Sequence, residues 1–257
     1  LAAIDPTTLS DAAQAAYRAA ESRVIVNAYL GIAAALMVIA AVVWLRRNAL
    51  VERPADQAGG LRAALGLLRR PRFAFGTLGI FLYVGAEVSV GSLIVNYLMR
   101  ADTLALGQEA AGAHVPYYWG GAMIGRFIGA LLLRYVSPGK ALTGAAGGVL
   151  ALLAISGTAT GLVSAWSLLA IGLFNSIMFP TIFSLASERL GVRTPEGSGL
   201  ICMAIVGGAI VPPLTGWTAD QIGLKGALLV PALCYAIILA FGLYARRPAP
   251  ALDDAAA

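Results

Sequence analysis

A single carboxylate lies deep inside one of the chain's long apolar stretches. Glu87 is fourteen residues into residues 73–99, which is about 21 Å along a helix at ~1.5 Å per residue. Burying a carboxylate at that depth is costly, and such residues usually have a function. A carboxylate accepts two hydroxyl hydrogen bonds with charge-assisted strength, so Glu87 suits a ligand rich in hydroxyl groups. The alternative is a protonated glutamic acid that is bonded to a neighbouring helix.

Three further polar side chains are candidates for the same ligand. Tyr83 lies one turn before Glu87, on the same helix face. Asn96 lies nine residues after Glu87, about 180° around a straight helix, so the two share a cavity only if the helix breaks at Gly91. Without that break, Asn96 belongs to a packing face of small residues, with Gly85, Ser89 and Ser92. The amide of Asn175, central in its own apolar stretch, suits either a ligand hydroxyl or an interhelical hydrogen bond. The predicted substrate-binding residues are therefore Tyr83, Glu87, Asn96 and Asn175.

Arg126 is the second ionisable residue that lies deep in an apolar stretch. Its long stem lets the head group reach towards the membrane surface, or pair with a helix end or a carboxylate, and we favour these structural roles over ligand contact. Tyr117, Tyr118 and Trp119 begin the same stretch. They are typical of an aromatic belt at a membrane interface, with a stacking gate for the ligand as the alternative.

Helices must position these residues, because the chain is too apolar to cover a water-facing surface. Only 12% of its residues are charged, against roughly 25% in soluble domains. A membrane-spanning helix needs about 20 mainly apolar residues. Seven stretches meet this length and predict an all-α membrane protein with seven transmembrane helices, at 25–45, 73–99, 115–136, 141–161, 164–186, 198–218 and 225–245.

Small residues in the third of these stretches indicate how it packs. Gly121, Gly125 and Gly129 recur every four residues and therefore share one helix face. Small residues on one face let a neighbouring membrane helix approach closely. We expect this face to be a helix–helix contact.

Positive charges in the connecting segments indicate the orientation of the helices. Arginine is concentrated in 46–72, and Arg246 and Arg247 follow the last helix. Lysine and arginine stay on the cytoplasmic side, so we expect 46–72 and the C-terminus to be cytoplasmic and 1–24 to be an external loop. Residues 246–257 are expected to form a disordered cytoplasmic tail.

Several classes of function are disfavoured by what the sequence contains. His114 is the only histidine, and Cys202 and Cys234 lie in apolar runs, so no metal site is predicted. Neither a nucleotide-binding Gly-x-x-x-x-Gly-Lys-Ser/Thr motif nor a basic stripe for nucleic acid occurs. One buried glutamate does not form a catalytic cluster, so we expect neither an enzyme nor a cofactor. A retinal protein would need a lysine deep in the last helix, and residues 226–245 contain none.

Five segments of the chain, in order, resemble helices of one known membrane family. The first contains Tyr-Val-Gly-Ala-Glu and the third contains Phe-Pro-Thr-Ile-Phe-Ser-Leu. Together they resemble helices seven, eight, ten, eleven and twelve of the major facilitator superfamily and, within it, of the fucose–galactose–glucose:proton symporter family. One departure is Leu133, which stands where the superfamily's loop motif has an aspartate. The segments are 79–98, 125–140, 174–191, 206–220 and 231–235.

The resemblance implies a fold of twelve helices in two six-helix halves, of which this chain holds helices six to twelve. Residues 25–45 would be the last helix of the N-terminal bundle, 46–72 the central cytoplasmic linker, and 73–245 the C-terminal six-helix bundle. Helices one to five would be missing, and with them the proton-coupling carboxylates of the fucose member. We therefore expect the missing N-terminal half to be required for function.

The resemblance also implies hexose:proton symport by alternating access in the bacterial inner membrane. The expected partners are glucose, galactose or a related sugar, a proton as coupling ion, and the lipid bilayer. Glucose/galactose members have Glu at the position of Glu87, where the fucose member has Gln. A seven-helix receptor, or a structural bundle without transport activity, is the alternative.

Overall fold

The computed structural model describes residues 10–46 and 64–247, which fall into two separate units. Most of the predicted linker 46–72 and almost all of the predicted tail 246–257, with its expected disorder, lie outside these ranges. The first unit, Leu1–Ala58, contributes one described helix, and the second, Gly59–Ala257, contributes the rest.

The described helix of the first unit, α1, spans Asp11–Arg46. Its part from Val26 to Arg46 is long and apolar enough to cross a membrane, in agreement with the predicted span 25–45. The helix begins well inside the segment expected to be an external loop, 1–24. Six alanines between positions 11 and 24 favour a helix there, because alanine has the highest helix propensity.

The second unit is helical in every element assigned within residues 64–247. Short 3₁₀ turns precede the first helix and separate several later ones, at Leu67–Arg69, Gly191–Arg193 and Ala204–Val206. The helices are α2 (Pro71–Met99), α3 (Gln108–Gly112), α4 (Val115–Leu132), α5 (Pro138–Thr158), α6 (Gly161–Asn175), α7 (Met178–Ala186), α8 (Thr194–Met203), α9 (Gly207–Ala227) and α10 (Leu229–Tyr244).

Five helical stretches of the described chain are long and apolar enough to span a membrane. The prediction of an all-α membrane protein agrees with this, whereas the count of seven transmembrane helices stays a prediction. Of the remaining two stretches, α10 is apolar but short, and α4 is made less apolar by its glycines, its tyrosines and Arg126. The five stretches are Val26–Arg46, Pro71–Met99, Pro138–Thr158, Gly161–Ala186 and Gly191–Ala227.

Two of the predicted spans are interrupted. The stretch 164–186 divides into α6 and α7 at Ser176 and Ile177. Pro180 has no amide hydrogen for the carbonyl of Ser176, four residues earlier, so the regular helical bonding is lost at this point. The stretch 198–218 divides into α8 and α9 at the 3₁₀ turn Ala204–Val206. Gly223, where α9 leaves the helical conformation with a φ of 80°, lies between the predicted spans 198–218 and 225–245, and glycine adopts this value readily.

Close helix contacts place α4 against α6. A side-chain carbon added at Gly125 would meet the carbonyl of Leu173 and the side chain of Ser176, and one added at Gly172 would meet the backbone of Tyr118. One added at Gly129 would meet the side chain of Ile177. The predicted glycine contact face is confirmed. On the other side of the unit, α2 packs against α7, α9 and α10, and α5 packs against α6 and α10.

Candidate functional site

A cavity of about 590 Å³ lies where α2 and α4 meet the break between α6 and α7. It contains both of the deep ionisable residues found in the sequence, Glu87 and Arg126. The chain therefore brings a carboxylate and a guanidinium from two helices to one cavity. The cavity is lined by Tyr83, Glu87, Arg126, Ala130, Leu133, Ser176, Ile177, Phe179 and Pro180.

Glu87 is half-buried, and its carboxylate is held by one neighbour on the same helix. The Tyr83 hydroxyl donates to Glu87 Oε1 over 2.7 Å, as the one-turn spacing on α2 predicts. Among the described residues, hydrogen bonds to this carboxylate engage Oε1 alone. The second oxygen, Oε2, is thus available to accept a hydroxyl from a ligand.

Arg126 approaches the same cavity from α4 and is exposed. Its guanidinium carries five donors and no acceptor, whereas the ionised Glu87 carboxylate carries acceptors only. A hydroxyl group both donates and accepts, so the two side chains together meet both requirements of a hydroxyl-bearing ligand. The cavity also has apolar walls from Ile177 and Phe179, which suit the carbon skeleton of such a ligand.

Asn175 is fully buried and does not line the cavity. Its Nδ2 donates to the Tyr118 hydroxyl over 2.9 Å, and its Oδ1 accepts from the Tyr235 hydroxyl over 2.8 Å. Its backbone carbonyl lies 2.9 Å from the Tyr83 hydroxyl, as a second acceptor within reach of the single proton of that hydroxyl. The side chain therefore makes the interhelical hydrogen bonds that the sequence allowed as the alternative to ligand contact.

Asn96 is exposed on α2 and is not brought to the cavity. The helix runs without interruption from Pro71 to Met99, through Gly91, so the break that would have turned Asn96 towards Glu87 is absent from it. Of the four predicted residues, Tyr83 and Glu87 share the cavity.

Tyr118 was expected in an aromatic belt, and this is wrong. Tyr117 and Trp119 are exposed, but Tyr118 is fully buried, and its hydroxyl donates to the Glu87 carbonyl over 3.2 Å. The burial follows from the close contact of Gly172 with the backbone of Tyr118, which turns this side of α4 inwards. Sequence reasoning also missed Tyr235, because nothing in the apolar run of α10 distinguishes a buried hydroxyl from an interfacial one.

Comparison with known proteins gives a consistent set of relatives, although no protein-family model matches the chain. A glucose/galactose transporter of Brucella abortus is 55% identical over 172 residues, which is 67% of this chain and 42% of that protein. A putative glucose/galactose transporter of Helicobacter pylori is 39% identical over 242 residues, 92% of this chain and 58% of that protein. The L-fucose–proton symporter of Escherichia coli is 36% identical over 196 residues, 74% of this chain and 44% of that protein.

The fold comparison agrees with these relatives. The crystal structure of a variant of the Escherichia coli fucose:proton symporter matches with a TM-score of 0.78 and 30% identity, over 94% of this chain and 60% of that one. This chain spans about half the length of the curated relatives that it matches, in their C-terminal portion. It belongs to the major facilitator superfamily, as a homologue of the C-terminal portion of glucose/galactose transporters and fucose–proton symporters.

Proposed function

We propose that this chain is the C-terminal part of a secondary active transporter that carries a hexose, glucose, galactose or a related sugar, together with a proton. The observation that carries the proposal is the cavity that joins Glu87 and Arg126, in a chain 55% identical to a glucose/galactose transporter. A purely structural bundle needs no such polar cavity, and neither that nor a receptor accounts for transporters as relatives.

In the proposed arrangement the chain crosses the membrane seven times, with residues 73–245 as a six-helix bundle. The five long apolar stretches support this, and α4 and α10 supply the two further crossings. The basic segment 46–72 and the C-terminus then lie in the cytoplasm of a bacterial inner membrane, on the side where arginine and lysine stay.

At the site, Glu87 would accept a sugar hydroxyl with Oε2 while Tyr83 holds Oε1. Arg126 would supply positive charge beside the carboxylate and limit the cost of keeping it ionised in the bilayer. The N-terminal half of the complete transporter would form the other wall, and the two halves would rock about the bound sugar.

The proton is assigned to carboxylates of that N-terminal half, and not to Glu87. The fucose–proton symporter family tolerates Gln at this position, and Gln cannot bind and release a proton in the physiological range. Glu87 is therefore proposed as a sugar ligand.

Uptake of radiolabelled hexoses tests the function directly. We expect the complete transporter, in which this chain follows an N-terminal half like that of its relatives, to take up glucose or galactose saturably in proteoliposomes. An inward proton gradient should accelerate the uptake, and a protonophore should abolish the accumulation. Saturable sugar binding without any translocation would favour the receptor instead.

A further inference from the structure

Three residues outside the cavity form a continuous hydrogen-bond chain behind Glu87. Tyr235 of α10 donates to Asn175 Oδ1, and Asn175 Nδ2 of α6 donates to the Tyr118 hydroxyl of α4. Tyr118 in turn donates to the backbone carbonyl of Glu87 on α2. One member from each of four helices thus meets at the back of the site, and we call Tyr118, Asn175 and Tyr235 the rear network.

The direction of this chain is fixed by the chemistry of its ends. The carbonyl of Glu87 can only accept, so the Tyr118 hydroxyl donates its single proton to it and accepts from Asn175 Nδ2. The amide of Asn175 then presents its oxygen to Tyr235, which donates. All three side chains are fully buried, so water does not replace a bond that is removed.

The rear network also reaches the Glu87 carboxylate by a second route. The Tyr83 hydroxyl lies within hydrogen-bond distance of two acceptors, Glu87 Oε1 at 2.7 Å and the Asn175 carbonyl at 2.9 Å. A hydroxyl has one proton, so the position of that carbonyl affects how firmly Tyr83 holds Oε1. Asn175 is the last residue of α6, beside the break before α7, and its side-chain bonds to Tyr118 and Tyr235 hold it there.

We propose that Asn175 and Tyr235 are positioning residues for the sugar-binding carboxylate, and that they set which hexose hydroxyl Glu87 Oε2 can reach. They act through Tyr118 on the backbone of Glu87 and through Tyr83 on its side chain. This inference rests on the proposed sugar transport and extends it to specificity. Loosening the rear network should therefore alter discrimination between two hexoses that differ at one hydroxyl.

A second buried tyrosine in the same bundle provides a matched control. Tyr97, also on α2 and fully buried, donates to the carbonyl of Ser156 over 2.6 Å and lies 3.0 Å from the Ser164 hydroxyl. None of these three residues lines the cavity. Tyr97→Phe removes a buried hydroxyl from a comparable interhelical network, but leaves the surroundings of Glu87 unchanged.

The experiment compares Tyr235→Phe with Tyr97→Phe in the complete transporter, using glucose and its 4-epimer galactose. Losing one hydrogen bond, worth about 0.5–1.5 kcal/mol, corresponds to roughly two- to tenfold in affinity. We expect Tyr235→Phe to raise KM by about this factor for the preferred hexose and to shift the ratio of the two KM values, with little change in Vmax per folded transporter. Tyr97→Phe should leave the ratio as it is.

A double-mutant cycle shows whether the effect passes through Glu87. In a Glu87→Gln background, Tyr235→Phe should shift the KM ratio much less than it does alone, because coupled residues are non-additive. A full shift in that background, or a ratio that Tyr235→Phe does not move, would overturn the positioning role. Tyr118→Phe breaks the same network and takes the place of Tyr235→Phe if that variant does not fold.

The unmodified transporter separates this inference from the function on which it rests. Lack of saturable hexose uptake by the unmodified protein would overturn the proposed function, and the positioning role with it. Normal uptake with an unmoved KM ratio in both network variants would overturn the positioning role alone.

Discussion

Tyr83 and Glu87 lie one helical turn apart on α2, and the tyrosine hydroxyl is 2.7 Å from Oε1 of the carboxylate. The bond occupies one carboxylate oxygen, and among the described residues no hydrogen bond engages the other. A glutamine at position 87 would retain an oxygen for Tyr83 but would lose the negative charge. The variant Glu87→Gln therefore tests the negative charge of the site while its shape is retained.

Glu87→Gln should weaken or alter sugar preference while proton-driven uptake persists. The loss of a charge-assisted hydrogen bond costs about 1.5–3 kcal/mol, or roughly ten- to a hundredfold in affinity. Glu87→Ala should be worse, because the sugar hydroxyl then has no partner. Counterflow and proton-driven uptake, measured on the same vesicles, check this. If Glu87→Gln retains binding and exchange but loses accumulation, Glu87 is the coupling residue and the assignment is wrong.

This chain alone should not transport sugar. Half of the proposed cavity wall and the proposed coupling carboxylates belong to an N-terminal half that its relatives possess. Vesicles reconstituted with these 257 residues should show background uptake, with the complete transporter as positive control. Saturable, gradient-driven uptake by this chain alone would contradict the proposal that transport requires the N-terminal half.

The proposed topology predicts which loops an impermeant thiol reagent can reach in intact cells. In a background lacking Cys202 and Cys234, a cysteine at Glu109 should react and one at Asp56 should not. Glu109 is exposed on α3, so burial does not prevent its labelling. Permeabilised cells provide the control, in which both positions should react. The opposite pattern in intact cells would invert the orientation.

Arg72→Ala should destabilise the bundle. Arg72 is buried at the start of α2, where Nε donates to the Leu185 carbonyl over 3.0 Å and the guanidinium pairs with Glu188. A further bond of 2.6 Å reaches the carbonyl of Arg247, beyond the end of α10. Removing the side chain leaves the buried Leu185 carbonyl without this donor, which costs about 1–3 kcal/mol.

Thermal unfolding of the purified chain in detergent measures this effect. Arg72→Lys should also lower the Tm, because an ammonium group lacks the planar fork that reaches three partners at once. The exposed Arg69 provides a matched control, and Arg69→Ala should leave the Tm nearly unchanged. Equal Tm values for the variants at 69 and 72 would contradict the proposed role of Arg72.

Asp102 should contribute to stability at neutral pH and lose that contribution in acid. The Arg100 guanidinium beside it, with the Lys225 ammonium, holds the pKa of the Asp102 carboxyl well below its usual range. A depressed folded-state pKa stabilises the protein above the unfolded value, near 3.9, and the contribution fades as pH falls below it.

Asp102→Asn should therefore lower the Tm at pH 7, and its difference from the unmodified chain should shrink as the pH falls below about 4. Glu109→Gln, on the exposed α3, is the control and should show neither effect. A Tm difference for Asp102→Asn that does not depend on pH would exclude the ion pairs as its cause.

The sequence predicts best what depends on one helix alone. Glu87 and Tyr83 share a cavity because residues four apart on a helix face the same way, whatever surrounds it. The roles of Asn175 and Tyr118 depend on how α6 and α4 are rotated about their axes, and the break at residues 176 and 177 sets part of that rotation. No local pattern contains this information, so the aromatic-belt prediction for Tyr118 was wrong, and the sequence left Asn175 open between a ligand contact and an interhelical hydrogen bond.

The glycine contacts between α4 and α6 have a consequence for motion. Gly125 receives the carbonyl of Leu173, and Gly172 receives the backbone of Tyr118, so each helix is notched into the other. We expect two helices that are packed this closely to resist sliding past each other and to move as one rigid body. When the two proposed halves rock about a bound sugar, we therefore expect Arg126 on α4 and Asn175 on α6 to keep a constant separation.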